Sequence, residues 1–310
     1  MGLFSRKPKQ TSAAPASEPA ATPGQPEQVE QPEQTAPPAP PTPPADSFIP
    51  AVEGGAASLV TNTLVQTALL KWGEKKNAQT MNEVLRQCAV GELLIDISGS
   101  EFADISKGLQ SGDKLGVGQV VDNAGKRLLL VFTSNDALAA YRPGVPPMSL
   151  AQPASGVMKQ ALSDFEGVAI DPASPNTCII YNPEIQLGLS QDPGFNEVLK
   201  GALVENRPNN EIRLLAASAP LLFVGVNEVR NEAGEVTSAT MPSVQTTAGE
   251  MCSLAFTSPA ELWAFDPTLS PRPTGLDNIV GGTKTRGHFA VMLNPMGPWA
   301  MLRMQDFDDA

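Results

Sequence analysis

Two stretches of sequence that share one pattern decide the fold. Residues 124–143 read AGKRLLLVFTSNDALAAYRP and residues 248–267 read AGEMCSLAFTSPAELWAFDP. The stretches align without a gap at an offset of 124, and nine of their 20 positions are identical. Because self-similarity of this kind is the sequence signature of repeated units, we expect the chain to contain two copies of one domain.

In each copy, the sequence pattern predicts a buried strand followed by a helix, and a Phe-Thr-Ser block lies where the two join. The block consists of Phe132, Thr133 and Ser134 in the first copy and of Phe256, Thr257 and Ser258 in the second. A serine at this place accepts a hydrogen bond from a free amide of the first helical turn, so both serines are predicted to be helix caps. A nucleophilic serine at such a turn would favour glycine two positions before and after it, and neither copy has glycine there. Glu261, three residues after Ser258, also predicts a capping box.

The similarity extends outward from this block. Upstream, the sequence of each copy predicts two amphipathic helices, the first of which presents one apolar face from Leu64 to Trp72 or from Val198 to Leu203. Downstream, a strand that ends at Asn-Pro is expected to place Asn182 and Pro183 at the positions of Asn294 and Pro295. In the first copy, alternation of Ile185, Leu187 and Leu189 then predicts a final hairpin strand.

The order of these elements predicts an α+β fold with two homologous repeat domains. Each domain is expected to have N-terminal helices and a small mixed or antiparallel sheet. The predicted boundaries are residues 58–191 and 192–305, preceded by an arm at residues 1–57 and followed by an acidic tail at residues 306–310.

The arm is predicted to be disordered. Residues 1–50 contain 13 of the 30 prolines, interleaved with Ala, Gln, Glu and Thr, and such a segment buries too little apolar surface to offset its ordering entropy. The arm is either an inert spacer or a tether whose basic tip, Met1–Lys9, touches a partner or an anionic surface.

The repeated pattern, Phe-Thr-Ser-x-x-x-Leu-x-Ala-aromatic followed by a hydrophobic strand that ends at Asn-Pro, resembles the bacterial SseB-type domain in both copies. This family is named for a protein linked to enhanced serine sensitivity. The resemblance implies a small α+β domain in a soluble, cytoplasmic protein. It brings no settled set of catalytic residues, so none is assigned from it.

Composition excludes several classes of protein. The net charge of −12 argues against a nucleic-acid partner, whose binding site would cluster Lys and Arg. The longest uncharged apolar run, Leu214–Val226, has 13 residues, fewer than the ~20 that cross a membrane, so no integral membrane segment is expected. Three widely spaced cysteines predict reduced thiols without a disulfide framework or zinc site.

Few residues offer chemistry. His288 is the one histidine, so a Ser–His or Cys–His pair cannot recur in both copies, and neither a metal site nor a cofactor is predicted. The glycine-rich stretch Gly108–Gly118 lacks the Gly-Lys-Ser/Thr ending of a phosphate loop and predicts a connection rich in turns. Gly281–Gly287 is expected to be either a solvated loop or an anion site in which Lys284 and Arg286 bind the ligand.

Two classes of function remain. The first is a non-catalytic protein-interaction or scaffold module in the bacterial cytoplasm, with an unknown protein partner. The second is a protein that binds a small ligand or anion, or an enzyme, with a site near Gly281–Gly287 or between the two domains. The absence of paired catalytic residue types favours the first.

Overall fold

The computed structural model describes residues 60–101, 112, 114–190 and 192–307. The predicted arm at residues 1–57 lies outside the described residues, as do residues 308–310 of the predicted tail and part of the Gly108–Gly118 stretch. In the part of the chain that is described, no helix is both long and apolar enough to span a membrane.

The first half of the chain begins with two helices and continues as a mixed sheet. Its elements are α1 (Thr63–Glu74), α2 (Ala78–Gln87), β1 (Glu92–Asp96), β2 (Gln119–Val121), β3 (Arg127–Phe132), α3 (Asn135–Tyr141), β4 (Ser149–Pro153), α4 (Ala154–Asp164), β5 (Gly167–Ile170), β6 (Cys178–Tyr181) and α5 (Asn182–Gly188). The strand order is β4-β1-β3-β5-β6, with β2 also paired to β3. Strands β3 and β5 run parallel, and the other neighbours run antiparallel. The α+β class and the mixed sheet are therefore confirmed.

The second half has a closely similar order of elements. These are α6 (Glu197–Val204), α7 (Asn209–Ser218), β7 (Leu222–Arg230), β8 (Val236–Thr240), β9 (Ser243–Gln245), β10 (Met251–Ala255), α8 (Pro259–Phe265), β11 (Ser270–Thr274), α9 (Leu276–Thr285), β12 (Ala290–Leu293), β13 (Ala300–Arg303) and a 3-10 turn at Met304–Phe307.

The strands of the second half form two sheets that touch at one point. The orders are β13-β12-β10-β9 and β11-β7-β8, and the parallel pair is β10 with β12. Phe223 and Phe256 connect the sheets by two backbone hydrogen bonds of 2.8 and 2.9 Å. Across this bridge the order β11-β7-β10-β12-β13 repeats β4-β1-β3-β5-β6, and β8 is an additional strand.

Local sequence explains the shared elements. Asn62 caps α1 by accepting a hydrogen bond from the Val65 N–H at 3.1 Å, and the buried Val65, Ala68 and Leu69 follow at helical spacing. Gly125 and Gly249 precede the central strands with φ of +80° and +87°, which glycine adopts without a steric penalty. The predicted helices and central strands of both halves are present.

The predicted equivalence of Asn182-Pro183 with Asn294-Pro295 is wrong. Asn182 follows β6, whereas Asn294 follows β12, which corresponds to β5. The residue at the position of Asn294 is Asp171, which lies 28 positions after Pro143, while Asn294 lies 27 positions after Pro267. The two halves therefore have nearly equal lengths between these points, and Asn182 and Pro183 instead begin α5.

The predicted hairpin strand after Asn182 is also absent from its place, since Asn182–Gly188 is the helix α5. Ile185 and Leu189 are buried on one side of this segment, and Leu187 is 64% exposed. The spacing of Ile185 and Leu189 fits one helical face as well as it fits alternation, because positions i and i+4 coincide in both patterns. Packing against the first half's core favours the helix.

Candidate functional site

The two halves meet where α2 packs against α8. Ala260 of α8 belongs to the apolar core of the first half. Gly188 of α5 packs closely against both helices. A Cβ atom at this position would be 2.3 Å from Leu85 Cδ2 in α2 and 3.4 Å from Ala260 Cβ in α8. The Gln79 side chain also donates a hydrogen bond of 3.0 Å to the Ala264 carbonyl.

Four buried charged residues lie at this contact, and we call them the junction cluster: Glu83, Arg86, Lys200 and Glu261. Arg86 is 2% exposed and donates to both carboxylate oxygens of Glu83, at 2.6 and 2.7 Å. Its Nη1 lies 3.2 Å from Glu261 Oε2 and also donates to the Gly297 carbonyl. One guanidinium therefore connects α2 of the first half to two separate segments of the second.

Burial and pairing shift the pKa of each member of the junction cluster. Burial raises the pKa of Glu261, although the charges of Arg86 and Lys200 oppose this effect. Burial alone would also raise the pKa of Glu83, but hydrogen bonds and charges from Arg86 and Lys71 hold it below its usual value. The pKa of Arg86 is raised, since its two carboxylate partners outweigh burial.

Lys200 of the junction cluster contacts Ser258, and these two side chains resemble a catalytic pair. Lys200 Nζ lies 3.2 Å from Ser258 Oγ, and burial lowers the pKa of Lys200 to about 8. A serine beside a lysine of lowered pKa is the pairing used by Ser–Lys hydrolases, in which the amine accepts the hydroxyl proton.

The surroundings of this pair leave no space for a substrate. Lys200 is 3% exposed and Ser258 is 1% exposed. The cavity beside Lys200, lined also by Arg86, Glu261 and Asn294, has a volume of about 10 Å³, enough for one water molecule at most. In this conformation the arrangement can neutralise charge and hold two helices together, and it cannot admit an ester or amide.

The Phe-Thr-Ser blocks lie in the same local structure in both halves. Ser134 Oγ accepts a hydrogen bond from the Ala137 N–H at 3.2 Å, and Ser258 Oγ accepts one from the Glu261 N–H at 3.4 Å. The predicted caps are confirmed. The Glu261 carboxylate pairs with Arg86, and its predicted capping-box bond to the Ser258 backbone is not among the contacts of this helix. Phe132 and Phe256 are fully buried.

The threonine of each block binds the residue at the end of the neighbouring parallel strand. The Thr133 N–H and Oγ1 donate to the two Asp171 oxygens at 2.9 and 2.6 Å. The Thr257 N–H donates to Asn294 Oδ1, and Asn294 Nδ2 donates to Thr257 Oγ1, both at 2.9 Å. Asp171 and Asn294 have φ of +47° and +51°, so an acid in one half and an amide in the other fill the same role. Pro295 follows Asn294 outside β12.

The Gly281–Gly287 segment is not a loop, because α9 continues through Thr285. The backbone amides of Gly281 and Gly282 lie within this helix, near its C-terminal end, where the dipole disfavours anions. Arg286 donates to the Gly282 carbonyl and to Ser253 Oγ, at 3.2 and 3.0 Å. Lys284 lies exposed in the last turn of α9. A ligand at Lys284 and Arg286 stays a prediction, without the loop cradle on which it depended.

A polar contact that the sequence did not reveal lies under the end of α9. Ser253 Oγ is 3.0 Å from His288 Nδ1 and 2.8 Å from Thr283 Oγ1, whose own proton is donated to the Ile279 carbonyl at 2.6 Å. Burial, followed by the charge of Arg286, lowers the pKa of His288. The corresponding position in β3 holds Leu129, so this cluster belongs to the second half alone.

The sequence did contain one signal for the junction cluster. Lys200 lies between Leu199 and Ala202 on the buried side of α6, and a lysine in such a place needs a partner. Glu83 and Arg86 are spaced for an ion pair within α2, but nothing in their spacing indicates Glu261, which is 175 positions from Arg86.

Comparison with known proteins finds a family match in the first half. The family model described as SseB protein N-terminal domain matches residues 65–187, which run from α1 into α5. No curated protein matches the chain, and no solved structure matches it.

Proposed function

We propose that this chain, which belongs to the SseB family through residues 65–187, acts as a non-catalytic protein-interaction or scaffold module in the bacterial cytoplasm. The observation that carries the proposal is the junction cluster. Its buried charges hold the two halves in one arrangement, so that surfaces from both halves are presented to a partner together.

We also propose that residues 192–305 are a second copy of the same domain. The shared strand order supports this assignment, as do the two serine caps with φ of −160° and −159°. The ring pairs Phe132–Tyr141 and Phe256–Phe265 support it further, with centroid distances of 5.7 and 5.8 Å. The additional strand β8 and the Ser253 cluster are then features by which the second copy diverged.

Burial of the Lys200–Ser258 pair supports a non-catalytic role. A serine nucleophile must be reached by its substrate, and the hydroxyl of Ser258 is enclosed and already engaged as a cap. The matched serine of the first half, Ser134, has the same cap, and among the described residues no lysine donates a hydrogen bond to it.

The test is affinity capture from a bacterial lysate with the full chain as bait, followed by measurement of binding to each captured protein. We expect Ser258→Ala and the control Ser134→Ala to bind the same partner with affinities within about twofold of the unsubstituted chain. Loss of partner binding or of a cellular phenotype in Ser258→Ala, with an unchanged melting curve and an intact Ser134→Ala control, would contradict the proposal.

The alternative function, anion or small-ligand binding at Lys284 and Arg286, has its own test. Calorimetry measures the binding of nucleotides and phosphates to the unsubstituted chain and to the Lys284→Ala/Arg286→Ala double variant. We expect the double substitution to abolish no saturable binding. Saturable binding of that kind would replace the scaffold proposal.

A further inference from the structure

An open cavity of about 510 Å³ lies away from the junction cluster, in the second half. It forms where the N-terminus of α7 meets β13 and the 3-10 turn that follows β13. The residues that line it are Asn209, Asn210, Arg213, Arg303 and Asp306.

Aromatic rings, and not carboxylates, hold the two arginines of this cavity. The Arg213 guanidinium lies 5.7 Å from the centre of the Phe307 ring, and the Arg303 guanidinium lies 5.7 Å from that of Phe289. Among the described residues, neither arginine lies within ion-pair distance of an acid. A guanidinium stacked on a ring keeps its N–H donors available at its edge, where an oxyanion binds them in pairs.

The backbone of α7 adds to the positive potential of the cavity. The helix begins at Asn209 after Pro208, which has no side-chain group to cap it. The positive end of the helix dipole and the first amides therefore face the same region as the arginines. Asn209 Nδ2 donates to the Met301 carbonyl at 3.1 Å, which connects the start of α7 to β13.

Among the residues that the structure describes, one acid lines the cavity. Asp306 Oδ2 accepts a hydrogen bond of 3.2 Å from the Arg303 backbone N–H. The described lining residues, two arginines and one aspartate, carry a net charge of +1, in a chain whose overall charge is −12. The cavity is therefore a local positive region on an acidic protein, and a cleft lined by positive charge attracts anions.

We propose that this cavity binds a small phosphate-bearing anion, either inorganic phosphate or a small phosphomonoester. The guanidinium forks of Arg213 and Arg303 donate to the phosphate oxygens, and the start of α7 faces the same charge. The cavity volume lies within the ~300–1,000 Å³ that is usual for small-molecule sites and leaves room for an organic group beside the phosphate.

Isothermal titration calorimetry of the full chain tests this proposal, with inorganic phosphate and glycerol 3-phosphate as probes and sodium chloride to hold the ionic strength constant. We expect saturable binding at one site, weakened about tenfold or more in Arg213→Gln and in Arg303→Gln, since each removes one charged fork. The matched control is Arg230→Gln, because Arg230 is a surface arginine that pairs with Glu228. The Arg230→Gln chain should bind phosphate with the same affinity as the unsubstituted chain.

A second variant separates loss of binding from loss of fold. Asn210→Asp introduces a carboxylate into the cavity within the first turn of α7, where an acid stabilises the helix. It should therefore retain the melting temperature and bind phosphate about tenfold more weakly or worse. Absence of saturable binding to the unsubstituted chain, or equal affinity in the arginine variants and Asn210→Asp, would overturn the proposal. Tighter binding of either probe supports it and identifies which anion fits better.

Discussion

At the scale of single residues, Ser134 is a helix cap alone, whereas Ser258 is a helix cap that also contacts Lys200. We expect Ser134→Ala to destabilise the chain by about 1 kcal/mol, the usual loss for a serine cap. Ser258→Ala should cost about 1–2 kcal/mol, because it also removes the hydroxyl beside the buried Lys200 ammonium. Urea unfolding measures both values. A Ser258→Ala variant as stable as the unsubstituted chain would contradict the assigned role.

Because of Lys200, the free energy of unfolding should depend on pH in the alkaline range. Its folded pKa of about 8 lies below the ordinary value of 10.5, so between these values the unfolded chain binds more protons than the folded chain. Stability from this group therefore rises with pH across that window, by at most about 3 kcal/mol.

The measurement is the difference in unfolding free energy between the unsubstituted chain and Lys200→Met, followed from pH 7 to pH 10. The difference should change in favour of the unsubstituted chain as pH rises, since methionine has no proton to lose. A difference that stays constant with pH would show that Lys200 is not held at a lowered pKa.

At the scale of elements, the residues that follow β5 and β12 make matching contacts with different side chains, Asp171 in the first half and Asn294 in the second. Burial raises the pKa of Asp171 above 3.8, although hydrogen bonds from Thr133 oppose this effect. A raised pKa means that stability from Asp171 is complete below 3.8 and is lost as pH rises through the folded value. The amide of Asn294 makes the corresponding contacts and has no such dependence.

We therefore expect Asp171→Asn to be at least as stable as the unsubstituted chain at pH 7. Asp171→Ala should cost about 2–3 kcal/mol, because it loses two hydrogen bonds to Thr133 and places alanine at a φ of +47°. Urea unfolding at pH 4 and pH 7 distinguishes the variants. If Asp171→Asn is as damaging as Asp171→Ala at both pH values, the two strand ends are not equivalent.

The elements that could be predicted from sequence are those with strong local patterns. Helices α1, α2, α6 and α7 follow from apolar spacing, and the serine caps follow from the chemistry of helix starts. The strand ends could not be matched from sequence, because the position of Asn294 is occupied by a different residue type, Asp171, in the first half. The Asn-Pro pair at residues 182–183 is identical to that at 294–295 but lies at a different place in the fold. Likewise the alternation of Ile185 and Leu189 fits a strand and a helix equally well, and only packing decides between them.

At the scale of the whole molecule, the contact between the halves could not be predicted. The pair of Arg86 with Glu261 joins residues 175 positions apart, and no local pattern encodes such a distance. From its spacing after Ser258, the sequence predicts that Glu261 belongs to a capping box, and this prediction gives no sign of its pairing with Arg86.

Arg86 should be the most sensitive residue of this contact. Arg86→Met leaves two buried carboxylates, on Glu83 and Glu261, without their shared cation, and we expect a loss of about 3–5 kcal/mol. The control is Arg207→Met, whose partners Glu205 and Glu211 lie at the surface, where an ion pair contributes at most about 1 kcal/mol. Equal losses in the two variants, measured by urea unfolding, would contradict the importance of the buried cluster.

If the junction cluster holds the two halves in one arrangement, the halves should unfold together. Trp72 reports on the first half and Trp263 on the second, so two single-tryptophan chains, Trp263→Phe/Trp299→Phe and Trp72→Phe/Trp299→Phe, follow each half separately by fluorescence. We expect one urea midpoint shared by both chains, and two separate midpoints when Arg86→Met is added to each. Different midpoints before Arg86 is changed would contradict this expectation and show that the junction cluster does not couple the halves.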